Sequence, residues 1–350
     1  MRILAIETSC DETALALIEA TGGLRAPRFR VIKNLVASQI EIHRPWGGVV
    51  PNLAKREHIK NLPVVLHDLR SQVKRLRPDL LAVTVGPGLE PALWAGIVFA
   101  KELHRELKKV NPKLPLIGAN HLEGHLYSFL LADTDSGKKK KLAELFPSIA
   151  LIVSGGHTIL LRLESLTKWK KLGETRDDAV GEAFDKVAKI LGLPYPGGPE
   201  IQRVAEHGNK DAVPFPRPML HSGDYDFSFS GLKTAVLYHV RDHSPKKKEK
   251  KWVADIAASF QEAAVDVLAQ KTARAAREFG ARSILLSGGV AANAAIRERL
   301  KAEGAALGIP CIVPPITFNT DNATMIAAAA YIEHLRKKNH RLIASGTMTV

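Results

Sequence analysis

Residues 3–19 read ILAIETSCDETALALIE, and residues 149–164 read IALIVSGGHTILLRLE. Each is an apolar run, a polar turn and a second apolar run, which predicts a β-hairpin. Each is followed later by a strand pattern ending in a glycine turn: residues 80–85 before Gly86-Pro87-Gly88, and residues 283–286 before Ser287-Gly288-Gly289. Helical periodicity covers residues 51–73, 90–110, 178–191, 252–279, 292–303 and 321–336. The same order used twice predicts an α/β protein of two duplicated lobes. The expected division is a first lobe over residues 1–130, a lysine-rich connector over 131–147 and a second lobe over 148–319. A terminal helix over about 320–337 returns to the first lobe.

The chain has 350 residues and a formal net charge of +14. That charge implies attraction to a polyanion, with nucleic acid the leading candidate. Part of it lies in two runs, Lys138 to Lys141 and Lys246 to Lys251 interrupted by Glu249. Such runs read equally as solvated loops. No aromatic RNA-recognition box, zinc finger or arginine-rich arm accompanies them, so no small base-reading module is indicated. Cys10 and Cys311 are the two cysteines, which excludes a Cys-x-x-Cys zinc site and fits a reducing compartment. No stretch reaches the roughly 18 apolar residues of a membrane span. Ile3-Leu4-Ala5-Ile6 begins the chain with no signal h-region, so the expectation is a cytoplasmic protein without membrane contact.

Several short stretches can carry chemistry. His121-Leu122-Glu123-Gly124-His125 places two imidazoles four residues apart, on one face of a helix, where they can close on one metal ion or belong to an ordinary amphipathic helix. Ser154-Gly155-Gly156-His157-Thr158 and Ser287 to Asn293 are glycine turns that can admit a phosphate or merely turn tightly. No Gly-x-x-x-x-Gly-Lys-Ser/Thr occurs, so a P-loop is excluded. Asp178 reads as the cap of the helix that follows it. Asp185 reads either as an acceptor for a ribose or amide, or as a surface partner of Lys189. Glu7, Asp11 and Glu12 crowd the first hairpin turn, at a cost unless a cation, ligand or solvent compensates.

Hairpin, helix, strand and glycine turn in each lobe resemble the actin-like superfamily of sugar kinases and 70-kDa chaperones, a ribonuclease H-like fold with a nucleotide in the cleft between lobes. More specifically, the chain resembles the tRNA adenosine threonylcarbamoyltransferases. The likeness runs through Glu7 to Thr13, Gly47 to Pro51, Gly86 to Leu89, His121 to His125, Val153 to Thr158, Gly181 to Lys186, Phe229 to Thr234, Ser287 to Asn293 and Thr320 to Ala323. The resemblance implies transfer of a threonylcarbamoyl group from threonylcarbamoyl-AMP to N6 of adenosine 37, in tRNAs that read codons beginning with A. It implies one divalent metal ion, iron(II) ahead of zinc, on His121, His125 and Asp321; because His121 and His125 precede the lobe boundary and Asp321 begins the returning helix, the metal is expected to be shared between lobes. It places the adenylate on Ile152, Val153, Ser154, Gly155, Gly156, Asp185, Gly198 and Asn293, and makes Glu12 the candidate base. Gln202 stands where many relatives carry a carboxylate for the ribose, which implies an altered nucleotide contact. Ile152 and His157, in place of the Tyr and Asn of archaeal and cytosolic eukaryotic members, point to the bacterial and organellar branch. The absence of a transit segment favours the bacterial side. Implied partners are tRNA, a paralogous non-catalytic actin-like subunit and a small P-loop ATPase subunit.

Three other readings stay open on the residues alone. An actin-like small-molecule kinase or ATPase would use the glycine turns but not the histidine pair. A metallopeptidase would use the histidines, yet Leu122 stands where His-Glu-x-x-His needs its glutamate. A non-catalytic tRNA-binding subunit would account for the charge and leave the ligand set idle.

Overall fold

The computed structural model describes residues 1–131, 142–245 and 249–350; the first lysine run and Lys246 to Lys248 of the second lie outside them. The chain divides into unit 1, Met1–Ala143 with Pro314–Val350, and unit 2, Glu144–Val313.

Unit 1 opens with β1 (Arg2–Glu7), β2 (Glu12–Thr21) and β3 (Arg28–Ser38), then the short α1 (Ile40–His43) and α2 (Pro51–Gln72). It continues through β4 (Leu80–Gly86), α3 (Glu90–Lys108), β5 (Leu116–Asn120) and α4 (His121–Tyr127). In the sheet order β3-β2-β1-β4-β5, β1 runs antiparallel to β2 and parallel to β4. Ile3 to Ile6 are fully buried because β1 is central. Alternate residues Leu4 and Ile6 join Leu62, Leu66, Leu69 and Ile97 from α2 and α3 in one core, as strand periodicity requires.

Unit 2 repeats the plan with β6 (Ser148–Val153), β7 (Thr158–Ser165), β8 (Lys168–Glu174), β9 (Ser283–Ser287) and β10 (Cys311–Ile312). Its order, β10-β9-β6-β7-β8, is that of unit 1 read from the other edge, again with an antiparallel hairpin and a parallel neighbour. The helices are α5 (Val180–Leu191), α6 (Gly197–Ala205), α7 (Ser230–His243), α8 (Lys250–Glu278) and α9 (Ala294–Ala306). The last helix, α10 (Ala323–Leu335), belongs to unit 1 and lies along β1, β2 and β5. Residues 323–333 are buried throughout, and the alanines 327–330 let the helix backbone approach the sheet closely. No helix among the described residues is long and apolar enough to cross a membrane.

Two local expectations are corrected. Asp178 does not cap α5: its carboxylate pairs with Lys186 and Lys233, while the Val180 N–H donates to Thr158 Oγ1 at 2.9 Å. Nor are the three predicted metal ligands shared between lobes. His121, His125 and Asp321 all lie in unit 1, because the chain returns to that unit at Pro314.

Gly288 ends β9 at φ +96° and ψ 163°, a region open in practice only to glycine, and a Cβ there would lie 2.2 Å from the Val153 carbonyl oxygen. Gly288→Ala is therefore expected to destabilise the protein by about 1–3 kcal/mol or more, read as a lowered midpoint in denaturant unfolding. An unchanged midpoint would contradict this account of the turn.

Candidate metal centre and nucleotide pocket

Asn120 ends β5 and begins α4. Its Oδ1 accepts the Leu122 and Glu123 N–H groups at 2.8 and 3.2 Å, satisfying two of the donors that a helix start leaves unpaired. His121 is then the first helical residue and His125 lies one turn on, with ring centroids 4.7 Å apart. Asp321, just before α10, brings Oδ1 to 3.2 Å from His125 Nε2 and 3.6 Å from His121 Nε2. One ligand atom from each of the three residues lies within 4.8 Å of the others.

The surroundings of this group suit a cation. His125 is fully buried, and among the described residues neither of its ring nitrogens makes a well-formed hydrogen bond. With the Asp321 carboxylate 3.2 Å from Nε2 and no partner for Nδ1 among the described residues, the buried imidazole is poorly satisfied, which is costly unless something else takes a lone pair. His121 Nδ1 lies 3.2 Å from Glu7 Oε2 and 3.2 Å from Ser9 Oγ, which turns its Nε2 towards Asp321. Glu7 is fully buried at the end of β1 and is itself held by the Thr84 hydroxyl at 2.6 Å and the Ser9 N–H at 2.5 Å. Burial works against a charged His121, but the Asp321 and Glu7 carboxylates outweigh it and hold the imidazole at about 9. For His125, burial prevails and lowers the value. The group thus holds a single positive charge between two carboxylates, and a divalent ion competes with that proton for the same nitrogens. The donor set, two imidazoles and a carboxylate, fits iron(II) or zinc.

For Glu7 the cost expected of crowded carboxylates, here from Asp321, is outweighed. Burial alone would raise its pKa, yet His121 and Ser9 hold it below the ordinary value. Glu12 bears the cost instead, since burial and then Asp11 push its carboxyl well above the usual range. The loop between them is fastened by His58, whose Nδ1 lies 2.7 Å from Thr13 Oγ1 and whose Nε2 lies 2.9 Å from the Cys10 carbonyl oxygen.

In unit 2, Gly155, Asp185, Gly198, Gln202 and Asn293 line one cavity of about 290 Å³, together with Gly181, Phe184, Pro196, Pro199, Gly289, Val290 and Ala292. Ile152 and Val153, also predicted for this site, are buried in β6 and do not line it; neither do Ser154 and Gly156, in the turn that follows. The starts of α6 and α9 meet at the cavity. Asp185 Oδ1 accepts the Gly197 N–H at 2.7 Å, Gln202 Oε1 accepts Ala294 N–H at 2.8 Å, and Asn293 Oδ1 caps α9 by accepting Ile296 N–H at 3.1 Å. A Cβ added at Gly155, Gly198 or Gly289 would meet nothing within 4 Å, and none of the three has a positive φ. Neither backbone nor packing requires glycine at these places, whereas a ligand approaching the backbone would. Gly181 differs, because a Cβ there would stand 2.6 Å from the Ser154 carbonyl oxygen.

The sequence reading gives no role to Asn120, Ser9, Thr84 or His58. Only Asn120 carried a local signal, an N-capping residue directly before an apolar helical run.

A family profile described as tRNA N6-adenosine threonylcarbamoyltransferase matches residues 30–328. The protein of that name from Moorella thermoacetica is 48% identical over 337 residues, covering 96% of this chain and 92% of that one. The one from Ralstonia pickettii is 47% identical over 333 residues, covering 94% and 90%. Among solved structures, HypF of T. kodakarensis is similar with a TM-score of 0.58 at 16% identity, over 96% of this chain and 48% of HypF. Component A of the (R)-2-hydroxyglutaryl-CoA dehydratase of Acidaminococcus fermentans has a TM-score of 0.50 at 13% identity, over 96% and 99%. These structural likenesses speak for the actin-like fold alone. The family match and the relatives support neither the kinase nor the metallopeptidase alternative. With its profile spanning most of the residues and relatives nearly half identical over almost the full length, this chain belongs to the tRNA N6-adenosine threonylcarbamoyltransferase family.

Proposed function

We propose that this transferase, which forms N6-threonylcarbamoyladenosine in tRNA, takes threonylcarbamoyl-AMP as its donor. In this reading the adenylate occupies the unit 2 cavity, and His121, His125 and Asp321 hold one divalent ion, iron(II) in preference to zinc. The observation that carries the metal assignment is the fully buried His125 imidazole, left without a well-formed hydrogen bond beside Asp321. The cavity supports the donor: open glycines and two helix starts suit a phosphate.

The reaction joins N6 of adenosine to the carbonyl carbon of the threonylcarbamoyl group, breaks the anhydride bond to the phosphate, releases AMP and frees a proton from the amine. When bound, the metal supplies Lewis acidity and a template for the donor. The chain's own residues hold the other parts in place. Glu7, anchored by Thr84 and Ser9, keeps His121 turned for ligation. Helix starts and glycine N–H groups receive the leaving phosphate. Glu12 takes the amine proton in this reading; its raised pKa weakens it as an acid and strengthens its carboxylate as a base.

Glu7→Gln tests the positioning of His121. Metal affinity is expected to fall about 10–100-fold, the usual loss when the partner of a ligating histidine is removed, with secondary structure retained. Titration with zinc against a chromogenic chelator measures it, and wild-type affinity would contradict the role given to Glu7.

The reading also includes phosphate contacts to tRNA and two protein partners, a paralogous actin-like subunit and a small P-loop ATPase. The net charge of +14 supports the phosphate contacts. Affinity for tRNA should decline with salt at a logarithmic slope of about 0.7–0.9 per phosphate neutralised. Replacing the lysines of the two runs by Gln should flatten that slope; no change would place the contacts elsewhere.

A further inference from the structure

Helix α4 has seven residues and carries two of the three proposed metal ligands. So short a helix has little stability of its own and must be fixed from outside. Besides Glu7, Ser9 and the packing of α10, residues that fix it come from the C-terminal segment, 336–350, past the stretch matched by the family profile.

Glu123 lies between the two histidines on α4, and Glu333 lies on α10; both are fully buried. Lys338 Nζ is 2.9 Å from Glu123 Oε1, and Arg336 Nη1 is 4.0 Å from Glu123 Oε2. His340 Nε2 is 3.0 Å from Glu333 Oε1, which also accepts the Asn120 N–H at 3.4 Å. His340 forms a β-bridge with Gly118 in β5. Further along, the Ser345 N–H donates to the Val85 carbonyl at 2.9 Å, and Asn120 Nδ2 donates to the Thr349 carbonyl at 2.9 Å. The segment therefore crosses the ends of β4 and β5 and grips the Asn120 amide from the side opposite its capping oxygen. Glu123, Glu333 and His340 also have ligand atoms close enough for a metal. The ammonium of Lys338 already lies against Glu123, however, with Arg336 beyond it, and His340 faces Glu333, so the cluster is a clasp rather than a second metal site.

We propose that the C-terminal segment, through Lys338, His340 and Thr349, is a positioning strap that sets the start of α4 and hence the geometry of His121 and His125 at the metal. This rests on the reading of His121, His125 and Asp321 as metal ligands. Cobalt(II) is the probe, since its absorption spectrum reports ligand geometry as well as affinity. Lys338→Met, and separately a chain ending at Lys337, are expected to bind cobalt about tenfold or more weakly with an altered spectrum, while Lys338→Arg stays near wild type. Adenylate affinity serves as the control for an intact unit 2. If Lys338→Met binds cobalt with wild-type affinity and spectrum, the strap is overturned, even if thermal stability falls. If the truncated chain fails to fold, Lys338→Met decides. If His125→Ala also binds cobalt as wild type does, the metal reading itself fails and the strap falls with it.

Discussion

His125→Ala is expected to lose metal affinity by more than about 100-fold and to abolish threonylcarbamoyl transfer, with the fold retained. The magnitude follows from removing a ligand outright, a larger loss than the roughly 10–100-fold typical of a residue that only supports one. The fold should survive because the polar group that faces the imidazole, the Asp321 carboxylate, is partly exposed and can turn to solvent once the ring is gone. Elemental analysis and circular dichroism on the same sample check both halves. A folded variant that retains metal and transfers normally would remove His125 from the site.

Gly155→Val is expected to weaken adenylate binding by about 5–150-fold, the equivalent of about 1–3 kcal/mol of overpacking in a fitted site. Stability should hardly change, since a Cβ at Gly155 meets nothing within 4 Å in the folded chain. This contrasts with Gly181→Val, where the added atoms would strike the Ser154 carbonyl and stability should fall as well. Nucleotide titration with thermal unfolding on both variants separates the two kinds of glycine. Wild-type affinity in Gly155→Val would place the nucleotide elsewhere.

The two hairpins are legible because β1, β2, β6 and β7 are inner strands carrying the apolar runs Ile3 to Ile6, Ala14 to Ile18, Ile149 to Val153 and Ile159 to Leu161. β3 was missed, since this edge strand mixes Arg28, Arg30 and Lys33 into its pattern. α7 buries Leu232, Val236 and Val240 at a clean four-residue spacing, yet it follows a long irregular stretch, and its start reads only as the short motif Phe229 to Thr234. α6 opens on Gly197-Gly198-Pro199, which reads as a loop; it is helical because the Asp185 carboxylate receives its first N–H from a neighbouring helix.

His121, His125 and Asp321, the proposed metal ligands, are legible in the sequence because a four-residue spacing and a short family motif are local, and the structure brings the three together. What orients them is not local. Glu7 reaches His121 across 114 residues, and Lys338 reaches Glu123 across 215. Thr158, rather than the adjacent Asp178, caps α5 because the hairpin turn brings its hydroxyl to Val180. Contacts of this kind depend on sheet order, which periodicity does not reveal.

The most direct test of the account is a single-turnover assay of purified protein with the two proposed partner subunits, tRNA and the proposed donor threonylcarbamoyl-AMP labelled in the carbamoyl carbon. The account predicts that label passes to N6 of adenosine in tRNA with the metal-loaded wild type, stops when the metal is removed by chelation and returns when iron(II) is restored. Equal transfer by metal-free protein, or none by the metal-loaded protein in the presence of its partners, would contradict it.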